Sequence, residues 1–443
     1  MKRLLFLSLL LPSILFAQHT IKGVFSPPDD YNVALLYKVT PTVSKYIANT
    51  VIKEDGSFEI KLDTTATKGM YRLVYAIPQE DYNFDIIYNG KEDIELTFNS
   101  ETGVKFTKSV ENKLLSSYTN SMSMVTQSIG NYFRKQSKDT TALKAIFKTQ
   151  KETQLSFEKA AKETIALQFI KANKPYIPSK IEDVNVYSHN LKKHYFDYVD
   201  FKNKTLQSSS FLQEKVLNYV FGMVSNPEDE IANYKKNIDV VCSKMKEAPK
   251  EIKRILLVDT WQQMADLGLE PVANHIAETY LMDIAVALND QELLHTLMLY
   301  KDLSLGNQAP DFDLEIKEKG KLITKKLSKL DVAENYIIVF WSSTCSHCLD
   351  EVPQLQTYIQ SKEKGLIKVV AVGLEDEPYR WKDLTYSFPE FIHVYGEGKW
   401  DNEIGDAYGV TSTPTYFILD KDKKIIEKPE DFETLKAFFG DEE

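Results

Sequence analysis

Apolar and polar positions alternate with three different periods along the chain. Residues 19–106 carry short runs with a period near two. Thr20–Phe25, Val33–Val39, Ile47–Ile52, Ser57–Leu62, Tyr71–Ile77, Phe84–Tyr88 and Asp93–Phe98 each read as a strand. Glu54-Asp55-Gly56 separates two of them, and alternation on both sides of Asp-Gly predicts a hairpin. Asn89-Gly90 separates the last two runs. Many short strands with regular turns predict a small β-sandwich.

Between 110 and 300 the apolar positions recur at three- and four-residue steps, as in Leu143-Ile146-Phe147 and Leu155-Phe157-Ala160-Ala161. Ile252–Leu267 and Val272–Leu288 repeat this, so the region reads as all-α. Pro175 and Pro178 break it, and Asn226-Pro227 followed by Glu228-Asp229-Glu230 reads as a helix entry. From about 304 the pattern changes again. Tyr336–Trp341 and Ile367–Gly373 are continuous apolar runs, expected of strands buried on both faces. A helix follows the first of them. Thr415–Leu419 and Ile425-Ile426 flank Asp420–Lys424 as a hairpin, and Phe432–Phe439 reads as a closing helix. Alternating strands and helices predict an α/β sheet.

The start of the chain has a different purpose. Met1-Lys2-Arg3 is cationic, and Leu4–Phe16 is apolar apart from Ser8, Pro12 and Ser13. Thirteen residues are too few to span a bilayer, which needs about 20. With Ala17 behind it, the run reads as a secretory signal peptide cleaved to leave Gln18. No cysteine follows to carry a lipid, so no stable membrane anchor is expected. The expected divisions are a signal peptide at 1–17, a β-sandwich-like domain at 18–107, a helical domain at 108–303 and an α/β domain at 304–443.

Charge and composition narrow the function. The 443 residues carry 54 Lys+Arg against 64 Asp+Glu, a net charge of −10, which disfavours nucleic acid as a partner. Loss of Lys2 and Arg3 with the signal takes this to −12 (−10 − 2). Only three cysteines are present, too few to staple a chain this long. Cys242 stands alone and reads as a buried small apolar side chain. Cys345 and Cys348 are three apart, directly after a buried strand and at the start of a helix.

That spacing places two sulfurs on one helical face within disulfide reach. Free N–H groups at the helix start favour a thiolate at Cys345, and Cys348, one turn inside, is placed to resolve a mixed disulfide. The His347 imidazole can favour the same thiolate. Glu351 shares the face of Cys348 and, if buried, can exchange a proton with it. Asp350 points about 100° away. Thr411-Ser-Thr-Pro-Thr415 precedes a strand; Pro414 can hold a cis bond there, leaving backbone beside Thr413 free for an extended substrate. Trp341 leads into the cysteine loop and joins Thr413 and Pro414 as an expected substrate contact. No cofactor is expected, and Cys345, His347 and Cys348 lack a fourth ligand for a metal.

Gly306–Phe312, Val339–Cys348, Glu351-Val-Pro353 and Thr413-Pro414 resemble the thioredoxin superfamily, in particular the exported TlpA/ResA-like thiol–disulfide oxidoreductases. The resemblance covers about 305–440. It implies that Cys345 is the nucleophile, that Cys348 resolves, that Pro414 is cis and that the acid at Glu351 is buried. Many thioredoxins carry a buried Asp six residues before the first cysteine; here that position is Val339, which moves any internal acid–base role elsewhere. Ser346-His347 likewise replaces the usual Gly-Pro. The three-region layout resembles exported Bacteroidetes-type proteins and implies a periplasmic location. Protein thiols and disulfides, with an envelope redox partner, are then the expected partners. The alternative is an envelope client-binding protein with an accessory redox domain. A peroxidase fits less well, because Ile338 stands where a proline is expected before the reactive cysteine.

Overall fold

The computed structural model describes residues 19–79, 81–223, 229–318 and 320–440. The expected signal peptide and the Asn226-Pro227 helix entry therefore lie outside the described residues. The chain divides into two compact units between Gln263 and Met264.

In the first unit, β1 (Thr20–Ser26), β2 (Val33–Val39), β3 (Ser44–Val51), β4 (Ser57–Lys61), β5 (Gly69–Val74), β6 (Asn83–Tyr88), β7 (Ile94–Asn99) and β8 (Gly103–Lys108) form two four-stranded sheets. Their orders are β4-β1-β7-β8 and β3-β2-β5-β6. The period-two pattern drives this, since alternate residues on β1 are buried. Ile21, Phe25, Phe58 and Leu96 from one sheet share a core with Leu36, Leu73 and Ile86 from the other, which makes the region a β-sandwich.

The expected hairpin across Asp55-Gly56 does not form. β3 pairs with β2 and β4 with β1, in different sheets. The turn itself is tight, with the Gly56 N–H donating to the Lys53 carbonyl at 2.8 Å and Gly56 at φ +78°. Its Gly56 carbonyl, however, accepts from Phe25 at 2.9 Å, so the turn acts as a corner between sheets. β4 buries alternate residues whereas β3 is mostly exposed, so the two strands serve different surfaces.

Helices α1 (Val110–Arg134), α2 (Thr140–Ala160), α3 (Ala166–Ala172), α4 (Val184–Lys193), α5 (Lys204–Gln207), α6 (Phe211–Gly222), α7 (Glu230–Lys244) and α8 (Lys250–Asp266) follow. Pro175 and Pro178 lie between α3 and α4, as the missing N–H of proline requires. Asn112 ties α1 to the sandwich, its side chain pairing with the N–H and carbonyl of Ile87 at 2.8 and 2.7 Å. The Glu111 carboxylate caps α3 by accepting from Ala166 N–H at 2.9 Å. Cys242 lies on α7, half-buried rather than fully buried as expected, and desolvation pushes its thiol up to about 12.

The second unit begins within the last turn of α8 and continues with α9 (Glu270–Ile276), a π-helical turn at Ala277–Leu281, α10 (Met282–Leu288) and α11 (Gln291–Asp302). A hairpin of β9 (Asp313–Glu318) and β10 (Lys321–Lys326) follows. The main sheet contains β11 (Asn335–Trp341), β12 (Ile367–Glu375), β13 (Ile392–Glu397), β14 (Thr415–Leu419) and β15 (Ile425–Glu427), ordered β13-β12-β11-β14-β15. β11 runs parallel to β12 and antiparallel to β14, and β14–β15 is the expected hairpin. The helices between them are α12 (Ser346–Ser361), α13 (Pro378–Thr385) and α14 (Glu403–Ala407), and α15 (Phe432–Phe438) closes the chain.

The apolar run of β11 feeds two cores. Tyr336, Ile338 and Phe340 enter one, with Leu303 and Tyr408. Ile337, Val339 and Trp341 enter the other, with Cys348, Val352 and Leu355 of α12. This explains the absence of polar alternation along that strand.

Candidate active site

β11 delivers the chain to the site at Trp341, and the turn Ser342–Thr344 leads into α12. Cys345 is the N-cap of that helix, in extended conformation at φ −87° and ψ 121°. Its Sγ accepts a hydrogen bond from the Cys348 N–H at 3.2 Å. This is one of the helix-end donors that would otherwise lack an intrahelical partner. On its other side the Cys345 thiol donates to the Thr413 carbonyl at 3.2 Å. Thr413–Pro414 is a cis peptide.

The two thiols have opposite characters. Burial opposes ionisation of Cys345. Hydrogen bonds from the Cys348 thiol, the Thr413 side chain and the N–H groups of Cys348 and His347 outweigh it, holding the thiol below its ordinary value. Cys348 has no exposed surface, and burial, with its hydrogen bond to Cys345, pushes it up to about 12. Iodoacetamide at neutral pH should therefore modify Cys345 well before Cys348, with the Cys345 rate persisting below the usual thiol range. Equal rates by peptide mass spectrometry would contradict this asymmetry.

The remaining expected residues are distributed around this pair. Glu351 lies one turn along α12, half-buried. Its Oε2 accepts from the Tyr416 hydroxyl at 3.0 Å and the Phe432 N–H at 3.1 Å. The His347 imidazole is exposed and makes none of the hydrogen bonds or ion pairs among the described residues; its backbone N–H, rather than its ring, bears on Cys345. Thr413 and Pro414 are half-buried beside Cys345. Trp341, expected as a substrate contact, has no exposed surface. Strand alternation turns it toward α12, where it packs edge-on to Phe388 at 5.9 Å. It helps line a cleft of about 390 Å³ with Cys348, Leu349, Pro353, Gln356 and Phe388. A larger cleft of about 870 Å³ contains none of the expected site residues and is lined by the β9–β10 hairpin, the end of α12 and His393.

Two features escaped sequence reasoning. Glu375 ends β12 and is 3 % exposed, and its carboxylate accepts both the N–H and the hydroxyl of Ser343 in the loop before Cys345. Its sequence context carries no motif that points to this contact. Tyr416, in the apolar run of β14, signalled a strand and nothing about its hydroxyl.

A low-pKa cysteine at a helix N-cap, a shielded partner three residues on and a facing cis-proline define a thioredoxin-like redox domain. Residues 304–435 match the Redoxin family model. Over 128 residues the chain is 30% identical to the thiol-disulfide oxidoreductase ResA of Bacillus thuringiensis, spanning 28% of this chain and 69% of that protein. It is 28% identical over 123 residues to the thiol:disulfide interchange protein DsbE of Xylella fastidiosa, covering 26% of this chain and 56% of that one. A solved domain of a possible thiol-disulfide isomerase from Cytophaga hutchinsonii is 27% identical, covering 31% of this chain and 92% of that one at a TM-score of 0.26. The chain belongs to the ResA-like thiol–disulfide oxidoreductases of the thioredoxin family.

Proposed function

We propose that the protein is an exported, periplasmic oxidoreductase that exchanges disulfides with protein substrates through Cys345-Ser-His-Cys348. The observation that carries this is the split between the two thiols, one favoured as thiolate and half-exposed, the other shielded. In the reducing direction, the Cys345 thiolate attacks one sulfur of a client disulfide and expels the other as a thiolate, which takes a proton from water. Cys348 then gives its proton to Glu351 and attacks the Cys345 sulfur. A Cys345–Cys348 disulfide forms, the second client thiolate leaves, and two electrons have passed to the client. The oxidising direction is the same sequence reversed. Backbone beside the cis Thr413–Pro414 bond supports an extended client segment next to Cys345.

Leu4–Phe16 supports export, and no helix among the described residues is long and apolar enough to cross a membrane. Cys345→Ser should abolish dithiol-driven insulin reduction, read as turbidity from the released B chain. Undiminished reduction would overturn the assignment.

A further inference from the structure

The β11–β14 register sets Tyr416 directly opposite Val339. Val339 has no exposed surface and Tyr416 only 1 %. The strand pair thus brings no acid to this part of the interior, but it does bring a hydroxyl. That hydroxyl donates to Glu351 Oε2 at 3.0 Å, across 65 residues of sequence. Its own ionisation is pushed far up by burial, and further by the nearby Glu351, Cys348 and Asp431. It is therefore a donor at any working pH, and it lies within the electrostatic reach of both Glu351 and Cys348.

Glu351 needs such a partner. Its side chain has three rotatable bonds and is only half-buried, so without anchors it would sample solvent-facing rotamers. The Phe432 N–H fixes Oε2 from the start of α15, and the Tyr416 hydroxyl fixes the same oxygen from β14.

We propose that Tyr416 is a positioning residue for the resolving step: it holds the Glu351 carboxylate in place to receive the Cys348 proton. This rests on the reading of Glu351 as proton acceptor. The titratable groups around the pair are Cys348 and Glu351 on α12, Tyr416 on β14 and Asp431 capping α15, the last engaged by Thr434 N–H at 2.8 Å. No atoms are exchanged with Tyr416; the proton passes from Cys348 to Glu351 as the sulfur attacks.

The test uses the full reduced chain and the aromatic disulfide DTNB. Attack by Cys345 releases a first thionitrobenzoate anion, and resolution by Cys348 releases the second, so the two steps are read separately across pH. Tyr416→Phe keeps the ring and should leave the first release unchanged. It should slow the second about ten-fold at neutral pH, the scale of one hydrogen bond to a charged acceptor. In a Glu351→Gln background it should add nothing. Glu351→Asp retains the charge but draws it away from the hydroxyl, and should give the same slow second release even if Tyr416→Phe folds poorly.

A second release unchanged in Tyr416→Phe, or an effect that persists in the Glu351→Gln background, would overturn the role of Tyr416. If Glu351→Gln itself left the second release unchanged, the reading of Glu351 would fall instead.

Discussion

Cys348→Ser should convert a turnover enzyme into a trap. The variant is expected to lose insulin reduction about as completely as Cys345→Ser, yet to accumulate client proteins covalently attached at Cys345. Removing the resolving sulfur leaves the mixed disulfide with no intramolecular attacker, and release must wait for an external thiol. The nucleophile should survive the change. Cys345 keeps the Cys348-position backbone N–H at 3.2 Å and its place at the N-cap of α12, and a serine hydroxyl can still donate toward its sulfur. Non-reducing electrophoresis after expression in an envelope-containing host checks this. High-mass species should appear in Cys348→Ser, vanish on reduction and be absent from the double variant lacking both cysteines. Partners recovered only without covalent attachment would favour the alternative of a client-binding module with an accessory dithiol.

The trap relies on chemistry that local sequence already displayed. Two cysteines three residues apart, after a run buried on both faces, need only one strand end and one helix start to become a site. Every contact that defines Cys345 as N-cap lies within four residues of it, and Thr413-Pro414 carried its own punctuation. What lay hidden was set by tertiary geometry. Glu375 reaches Ser343 across 32 residues and Tyr416 reaches Glu351 across 65, and neither pairing leaves a mark in spacing or periodicity. Trp341 shows the converse. It stood beside the motif and was expected as a substrate contact, but β11 is buried on both faces, so neither orientation of its side chain could reach solvent.

The sandwich was similarly legible in part. Period-two runs located the strands, because burial of alternate residues is a property of each strand alone. Pairing is not, and Asp55-Gly56 illustrates the difference. Its residues satisfy a tight turn, as the sequence required, yet the chain leaves that turn into the other sheet. The apolar face of β4 completes a core with β1, whereas β3 has little to bury beside it.

The same distinction between periodicity and packing governs where the redox unit begins, and it leads to a large expected effect. The hydrophobic period changes near 304, but the compact unit begins at Met264. Leu303 belongs to the core that contains Phe340 and Tyr408, and Leu299 packs against it. Gly409, at φ +61°, sits so close beneath them that a Cβ there would lie 3.2 Å from Leu299 Cδ2. Glu270 of α9 accepts from Leu305 N–H at 2.9 Å and pairs with Lys428, while Asn274 donates to Ser304 Oγ at 2.8 Å. A chain begun at 304 loses all of these at once and bares the apolar surface beneath α11.

Full burial of a leucine contributes roughly 1.5–3 kcal/mol; with Leu303 buried and Leu299 partly so, the two together represent about 2–4 kcal/mol. At about 2–4 °C per kcal/mol for a unit of this size, residues 304–443 should melt on the order of 10 °C below residues 264–443. Leu299→Ala in the full chain isolates part of the term without truncation and should lower the corresponding calorimetric transition by about 1–2 kcal/mol, since Leu299 is only partly buried. Coincident melting of the two shortened chains would mean that α9–α11 add nothing to the redox unit. A separation of the expected size would make those helices part of the smallest stable body able to hold Cys345 in place.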